Sequence, residues 1–361
     1  MADSPNGSAF IDKLRAEFSE LAAGSRVPTI RDVAASHSVS QFSVQRAFEA
    51  LKEEGLIQSF VGRGSFIAGA DQVPVSQDNT KSARVLIVSH STPSRRGAEI
   101  ATHLQSALHE VGHKPISVTY SDVSDLRDLL GKGGFDVCVL QPRRSILPVE
   151  ALALLKSKAR HMIVEGRQLE LLDVDVIVRN RAKSIAMALK HLRTQGHRRI
   201  GLVTERLDAG AGYGEIENLY TQSLSSLPGR AHSLVLRVND GSPDAAEGIA
   251  ACLNEEMGNA EMAPTAFVVS GRFSDDEIRR GFEQAGLSVP KDVSVVHLRA
   301  QDASTPVDRR LTAVGRNAEH VAKAIVDIVG WRLAHPNDPS GLVLDDPKLV
   351  EGSSTCAIPA D

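Results

Sequence analysis

Cysteine is scarce. Cys138, Cys252 and Cys356 are the only three in 361 residues, far apart and with no CxxC pair. That spacing excludes a zinc cage or a disulfide framework and leaves plain thiols in a reducing compartment. The first eight residues, Met1 to Ser8, lack a basic stretch followed by an apolar one, so they do not read as a secretory signal. No apolar run approaches the roughly 18–20 residues needed to span a bilayer, and a cytoplasmic chain with no membrane partner is expected. A large charge of one sign is also missing: the formal net charge is −4. This neither points to nucleic acid nor argues against it, because basic residues can still gather on one face. No GxSxG, HExxH, P-loop or GxGxxG motif occurs. The nearest approach, Gly210-x-Gly212-x-Gly214, lacks the preceding strand and following helix that cradling a phosphate requires. His90, His197 and His297 are dispersed. Catalytic residues, a metal site and a cofactor are therefore not expected, and the chain does not read as an enzyme.

What is present divides into three segments. Length alone favours two or three domains, and 42% hydrophobic with 24% charged residues is ordinary for a globular chain. Residues 9–69 carry short helical patterns ending in a Gly-rich hairpin. Residues 70–82 are Asp, Gln, Pro, Ser, Asn and Thr with almost no apolar periodicity, a linker composition. Residues 83–357 alternate short β-branched runs with helical stretches. Strands are expected at 85–88, 136–140, 161–164, 176–178, 200–203, 234–236, 266–269 and 293–296, with helices at 98–111 and 149–158 among them. The runs are apolar throughout rather than alternating, as in strands buried on both faces. Strands separated by helices imply βαβ units, a parallel sheet and an α/β class of two Rossmann-like lobes.

In the first segment, Phe10, Ile11, Leu14, Phe18 and Leu21 have helical spacing, with Gly24 a plausible stop. Thr29 and Asp32 approximate a capping box for a second helix. Val39 plugs a short turn, and a third helix from about Ser40 to Glu54 buries Val44, Ala47, Phe48 and Leu51. Two short helices around a tight turn form a helix-turn-helix. Two β runs then flank Gly62-Arg63-Gly64, where glycine permits a sharp turn and Arg63 sits at the tip. The blocks Val27 to Ala34, Val39 to Ala47, Leu51 to Ile57 and Gly62 to Phe66 resemble, in order and spacing, the winged-helix head of GntR-family regulators. The resemblance implies binding to double-stranded operator DNA. It carries DNA-contacting roles onto Arg31 at the start of helix two, onto Ser40, Ser43 and Arg46 of the recognition helix, and onto Gly62 and Arg63 of the wing. Gln41 and Gln45 stand where many members carry arginine. Glutamine pairs with adenine and arginine with guanine, so a different base preference is implied.

In the third segment, His191 to Val203, Gln284 to Val296, Leu311 to Val314 with the apolar helix 321–328, and Leu342 to Thr355 resemble junctions of the LacI/GalR effector-binding body, a periplasmic-binding-protein type I fold. A GntR head on such a body resembles arabinose-repressor-like regulators. The hinge-helix motif of LacI proteins is missing, and residues 70–82 stand in its place. The resemblance implies a homodimer and two interleaved lobes, 83–178 with 300–333 and 179–299 with 334–357. It also implies an effector at the carboxyl ends of the strands, where open α/β sheets bind ligands. Ser89, His90, Gln141, Arg143, Arg167, Arg179, Arg206, Arg272 and Arg299 are the effector-site residues this implies. Where sugar-binding relatives carry Asn-Asp and an acidic residue, this chain has Ser270-Gly271-Arg272 and His297-Leu298-Arg299. Guanidinium groups favour carboxylate or phosphate, which suits a sugar phosphate, sugar acid or other anion. A neutral sugar stays open, as does a degenerate cleft whose arginines pair with Glu165 and Glu205. Two further alternatives are a dimeric DNA-binding protein needing no ligand and a solute-binding protein.

Overall fold

The computed structural model describes residues 5–22, 25–28, 30–37, 39, 41–60, 64–67, 82–91, 94–131, 133–142, 149–167, 173–206, 213–225, 234–239, 244–256, 263–300 and 305–358. The head comprises α1 (Pro5–Ser19), β1 (Arg26–Val27), α2 (Ile30–Ser36), α3 (Gln41–Glu53), β2 (Ile57–Phe60) and β3 (Gly64–Ile67). Leu14 and Phe18 of α1 meet Val33 of α2 and Val44, Ala47, Phe48 and Leu51 of α3 in one apolar core. The rings of Phe18 and Phe48 pack edge to face with centroids 5.7 Å apart. β2 and β3 form an antiparallel hairpin in which Phe60 pairs with Gly64. β1 adds a third strand through Arg26 opposite Phe66 and Val27 opposite Ser65. Two residues are too short to carry a period, so the sequence does not announce β1.

The body begins with β4 (Arg84–His90), α4 (Arg95–Glu110), β5 (Lys114–Tyr120), α5 (Val123–Leu130), β6 (Phe135–Gln141), α6 (Val149–Lys158), β7 (Ala159–Glu165) and β8 (Asp175–Arg179). It continues with α7 (Arg181–Thr194), β9 (Ile200–Arg206), α8 (Tyr213–Ser225), β10 (Leu234–Asn239), α9 (Ala245–Glu256), β11 (Ala266–Ser270), α10 (Asp275–Gln284) and β12 (Ser294–His297). β13 (Thr312–Gly315), α11 (Ala318–Ala334), β14 (Leu342–Asp345) and β15 (Lys348–Val350) close it. Two six-stranded sheets result, ordered β14-β8-β7-β6-β4-β5 and β10-β9-β11-β12-β13-β15. All pairings are parallel except β13 with β15.

Each sheet is covered on both faces, which is why its strands read as apolar runs. In the first lobe Val85, Ile87, Val137, Val139 and Ile163 face Ile100 and Leu104 of α4 and Val321 and Ile325 of α11. Their neighbours Leu86, Val88, Leu140, Met162 and Val164 face Leu126 of α5 and Leu155 of α6. Cys138 sits in this second layer, fully buried, with its thiol pushed up to about 12 by desolvation, so it is an inert core residue. β5 is an edge strand with only Pro115 and Tyr120 buried, and it lacked the apolar run by which the other strands were recognised.

The lobe boundaries differ from the expected ones. The first lobe takes 83–179 with α11 and β14, and the second takes α7 through β13 with β15. β13 thus lies in the second lobe and β14 in the first, the reverse of the expected division. Backbone pairing decides this: β13 pairs with β12, and β14 with β8. The chain consequently crosses between lobes at 179–181, 315–318 and 345–348, and the three passages are tied together. Asn180 donates its backbone N–H to the Asp345 carbonyl (3.0 Å) and its Nδ2 to Asp346 Oδ1 (3.0 Å). Lys183 pairs with the Asp346 carboxylate, and Arg316 Nε donates to the Asp346 carbonyl at 2.7 Å.

At the opposite end of the first sheet, Arg332 of α11 forms a two-pronged pair with buried Asp175 (2.7 and 2.8 Å) and donates to the carbonyls of His335, Asp338 and Pro339. It thereby ties the α11–β14 connection to β8. Removing one partner of a buried pair strands the other charge, which typically costs about 3–5 kcal/mol. Arg332→Ala is expected to destabilise the body by that order in urea unfolding followed by circular dichroism. A loss below about 1 kcal/mol, the range of exposed pairs, would show that the pair is not a structural tie.

Candidate functional site

The carboxyl ends of both sheets converge on a cavity of about 580 Å³ between the lobes. β7 and β8 of the first lobe deliver Glu165, Gly166, Arg167 and Arg179; β14 delivers Leu344 and Asp345. β11, β12 and β13 of the second deliver Ser270, Leu298, Arg299 and Arg316. The first turns of α4 and α7 add Arg96 and Arg181, and α8 adds Glu215. Both of those first turns are built by side-chain caps: Ser94 accepts from the Gly97 N–H, and Asn180 from the Lys183 N–H. Gly315 lets the ends of β12 and β13 lie backbone against backbone, since a Cβ there would stand 2.6 Å from the Arg299 carbonyl carbon.

Among the described residues six arginines line the cavity, against the three carboxylates Glu165, Glu215 and Asp345. Arg181 pairs with Glu215 at 2.7 Å. Arg96 donates to the carbonyl of Arg316 (2.6 Å), and Arg299 to that of Phe273 (2.7 Å). Burial holds the Glu165 carboxyl above the usual range, opposed by Arg96 and Arg179 and by a 3.4 Å contact from Gln141. Asp345 is raised for the same reason, opposed chiefly by Arg96 and Arg316. Arg316 also lies 2.8 Å from His320 Nε2, which accepts only in the neutral ring; burial and then the Arg316 charge lower the His320 pKa. Among the described lining residues there is no Phe, Tyr or Trp on which the apolar face of a sugar ring could stack.

Of the expected effector residues, Arg167, Arg179 and Arg299 are brought together here. Ser89, His90, Gln141 and Arg272 are not on the lining. Ser89 is buried, and His90 packs edge to face against Tyr120. Gln141 is buried behind Glu165. Arg272 turns to Glu205 of the same lobe, donating its backbone N–H at 2.5 Å and its Nε at 3.1 Å. Arg143 lies outside the described residues, as does the side chain of Arg206. Sequence reasoning missed Arg96, Arg316, Glu215 and Asp345. A signal existed for two of them: Arg316 and Asp345 each follow a short apolar strand, as Arg179 does. His297 and His197 are framework groups. His297 is fully buried with Nδ1 3.2 Å from Asp275 Oδ1, and His197 bridges Thr265 and the Cys356 carbonyl at 3.0 Å each.

In the head, α2 and α3 have the helix-turn-helix arrangement. Ser43 is exposed on α3. Arg31 lies in α2, and Gln41, Gln45 and Arg46 lie in α3, with side chains outside the described set. Ser40, Gly62 and Arg63 lie outside the described residues, as do residues 70–81 of the expected linker. Among the described residues, no group of His, Cys, Asp and Glu could hold a metal ion, and no helix is long and apolar enough to cross a membrane.

Comparison with known proteins bears on both parts. Residues 11–67 match the family model described as bacterial regulatory proteins, gntR family, and residues 189–355 match the periplasmic binding protein-like domain. The HTH-type transcriptional regulator PtxS of Pseudomonas putida is 25% identical over 172 residues, which is 48% of each chain, so the match spans about half of that relative. Among solved structures, a LacI transcriptional regulator from a Rhodococcus species superposes with a TM-score of 0.59 at 20% identity, covering 76% of this chain and 98% of that one. The LacI family regulator CCPA of Weissella paramesenteroides, with bound glucose, gives 0.59 at 14% identity over 77% and 100%. The chain thus joins a GntR-family winged-helix domain to a periplasmic-binding-protein-like body with the LacI-family fold.

Proposed function

We propose that this protein is a sequence-specific DNA-binding transcription regulator, a repressor whose operator affinity is set by a small molecule held between the two lobes. The observation that carries the reading is the pairing, in one chain, of a winged helix with a body whose two parallel sheets aim their carboxyl ends into one cavity. A winged helix reads base edges with its second helix and contacts backbone or minor groove with its wing. A cavity between two lobes changes shape when they move, and a ligand that binds one arrangement better shifts the population toward it. The relatives support the same assignment: the lac repressor structure is described as a dimer bound to operator and an anti-inducer, and two LacI family regulators hold glucose and ribose. For this chain the reading gives a homodimer that places two heads on a pseudo-palindromic site. The effector is a sugar or an anionic sugar derivative. The Arg272–Glu205 pair favours, for that one position, the reading in which arginines serve structure rather than ligand.

Two measurements test the reading. The double variant Arg46→Ala/Arg63→Ala is expected to weaken binding to DNA selected from a random pool by about 100-fold or more, at about 1–3 kcal/mol per specific contact, with an unchanged circular dichroism melt. Unchanged affinity in a gel-shift titration would sink the DNA-binding assignment. For the cleft, a screen of sugars, sugar acids and sugar phosphates by thermal shift should find a compound that raises Tm, since a ligand at 100 times its Kd stabilises by about 2.7 kcal/mol. No stabilisation across the whole screen would favour a dimeric DNA-binding protein that needs no ligand.

A further inference from the structure

The arginines of the cavity are distributed between its walls in a way that constrains what can fill it. On the first-lobe wall stand Arg96, Arg167 and Arg179 with the carboxylates Glu165 and Asp345. On the second-lobe wall stand Arg181, Arg299 and Arg316 and, among the described residues, the carboxylate Glu215. Among the described lining residues each wall therefore carries more positive than negative groups, by one on the first and by two on the second. Like charges on two walls that face one another across a half-buried cavity repel, and low dielectric strengthens that repulsion; the Arg96 bond to the Arg316 carbonyl crosses the cavity but neutralises neither charge. Salt screens it only over about 8–10 Å at ordinary ionic strength. A neutral ligand would leave the repulsion in place. A single negative charge offsets at most the smaller excess, that of the first wall. At least two negative charges are needed for a ligand to pair with arginines of both walls.

We propose that the ligand of this cleft carries two negative charges that bridge the arginines of the two lobes, and that neutralising both walls is what draws the lobes together. The inference rests on the reading of the cleft as an effector site given above and adds the charge state of its occupant. A volume of about 580 Å³ accommodates a six-carbon compound with room for water, and it falls within the range of about 300–1,000 Å³ usual for small-ligand pockets. Two sources of such a ligand share the chemistry: a dicarboxylate with a charge at each end, and a phosphate monoester with both charges on one group. Guanidinium forks pair two-pronged with either. The lack of an aromatic ring among the described lining residues removes the usual platform for a neutral pyranose and leaves charge as the principal source of affinity.

The test is isothermal titration of the full-length protein, at matched ionic strength, with four probes of one carbon length: D-glucose, D-gluconate, D-glucarate and D-glucose 6-phosphate. Glucarate or glucose 6-phosphate is expected to bind at least about tenfold more tightly than gluconate, and gluconate more tightly than glucose, since one charge-assisted contact is worth a factor of that order. Whichever of the two dianions binds better identifies the source. Arg179→Gln on one wall and Arg299→Gln on the other should each reduce the dianion-to-gluconate affinity ratio, whereas Arg198→Gln, exposed ahead of β9, should leave it unchanged. Because the ratio is read within each variant, general loss of structure cannot imitate the effect. Small-angle scattering without ligand supplies a check that needs no probe: the double variant Arg179→Gln/Arg299→Gln should have a smaller radius of gyration than the wild type. Gluconate or glucose binding as tightly as the dianions would overturn the two-charge inference while leaving the cleft a ligand site. No binding by either dianion, with no compaction of the double variant, would overturn it as well, and the effector reading would then stand or fall on the wider thermal-shift screen.

Discussion

Three passages of the chain join the lobes of the body, and Asp346 is where they meet. Its carboxylate takes Asn180 Nδ2 and Lys183, and its carbonyl takes Arg316 Nε. One residue thus ties the passage leaving β8, the passage leaving β13 and the passage leaving β14. Two lobes joined by a single linker would rotate freely, and a ligand between them would have to offset that freedom. Three passages held at one point leave the lobes a common axis near the cavity and few other ways to move. Everything the cleft does depends on this restriction, because it leaves opening and closing about that axis as the main way one wall can move against the other. The cleft-lining residues Asp345 and Pro347 flank the tie, and Asn180, Arg181 and Arg316 lie on the other two passages, so a ligand that touches them also touches the axis.

The electrostatics of the cavity follow from the same geometry. Strands whose carboxyl ends converge bring their terminal side chains together whatever their charge, and here those ends are rich in arginine. Glu165 and Asp345 share the space and are held above their usual pKa by burial even though arginines oppose the shift. For both carboxyls desolvation outweighs the neighbouring cations, and both side chains are half-buried on the cavity wall. Contacts from these arginines to a ligand are accordingly worth more than the same contacts at an open surface.

The division of labour between sequence and structure is visible in particular elements. The doubly covered strands were legible because burial on both faces imposes an unbroken apolar run, as at Val85–Val88 and Ala266–Val269. β5 was not, because an edge strand needs no such run. β13 and β14 were assigned to the wrong lobes for a different reason: their local patterns are equally strand-like, and only hydrogen-bond partners distant in sequence decide which sheet each joins. The same limit governs the site. Arg167, Arg179 and Arg299 were found because strand ends in an open α/β sheet face the ligand. Arg96 lies in the first turn of a helix, not at a strand end, and reaches the cleft through the placement of α4. Arg272 sits at a strand end but belongs to Glu205, a partner 67 residues away that spacing cannot reveal.

A switch needs more than a site. To move an equilibrium from 1:99 to 99:1, a ligand must prefer one state by about 5.5 kcal/mol. Contacts made equally in both arrangements of the lobes contribute nothing to that preference, however strong they are. Here the arginines are split between walls, so a ligand resting on one wall gains only that wall's contacts until the lobes approach. The contacts to the second wall are made on closure alone. Hydrogen bonds to charged groups are worth about 1.5–3 kcal/mol each, so two to four of them suffice. The second wall presents three guanidinium groups; each gives part of its five N–H groups to a protein partner, Arg181 to Glu215, Arg299 to the Phe273 carbonyl and Arg316 to the Asp346 carbonyl, and the requirement falls on the donors that remain. A cleft with all its arginines on one lobe would bind an anion as firmly and signal nothing.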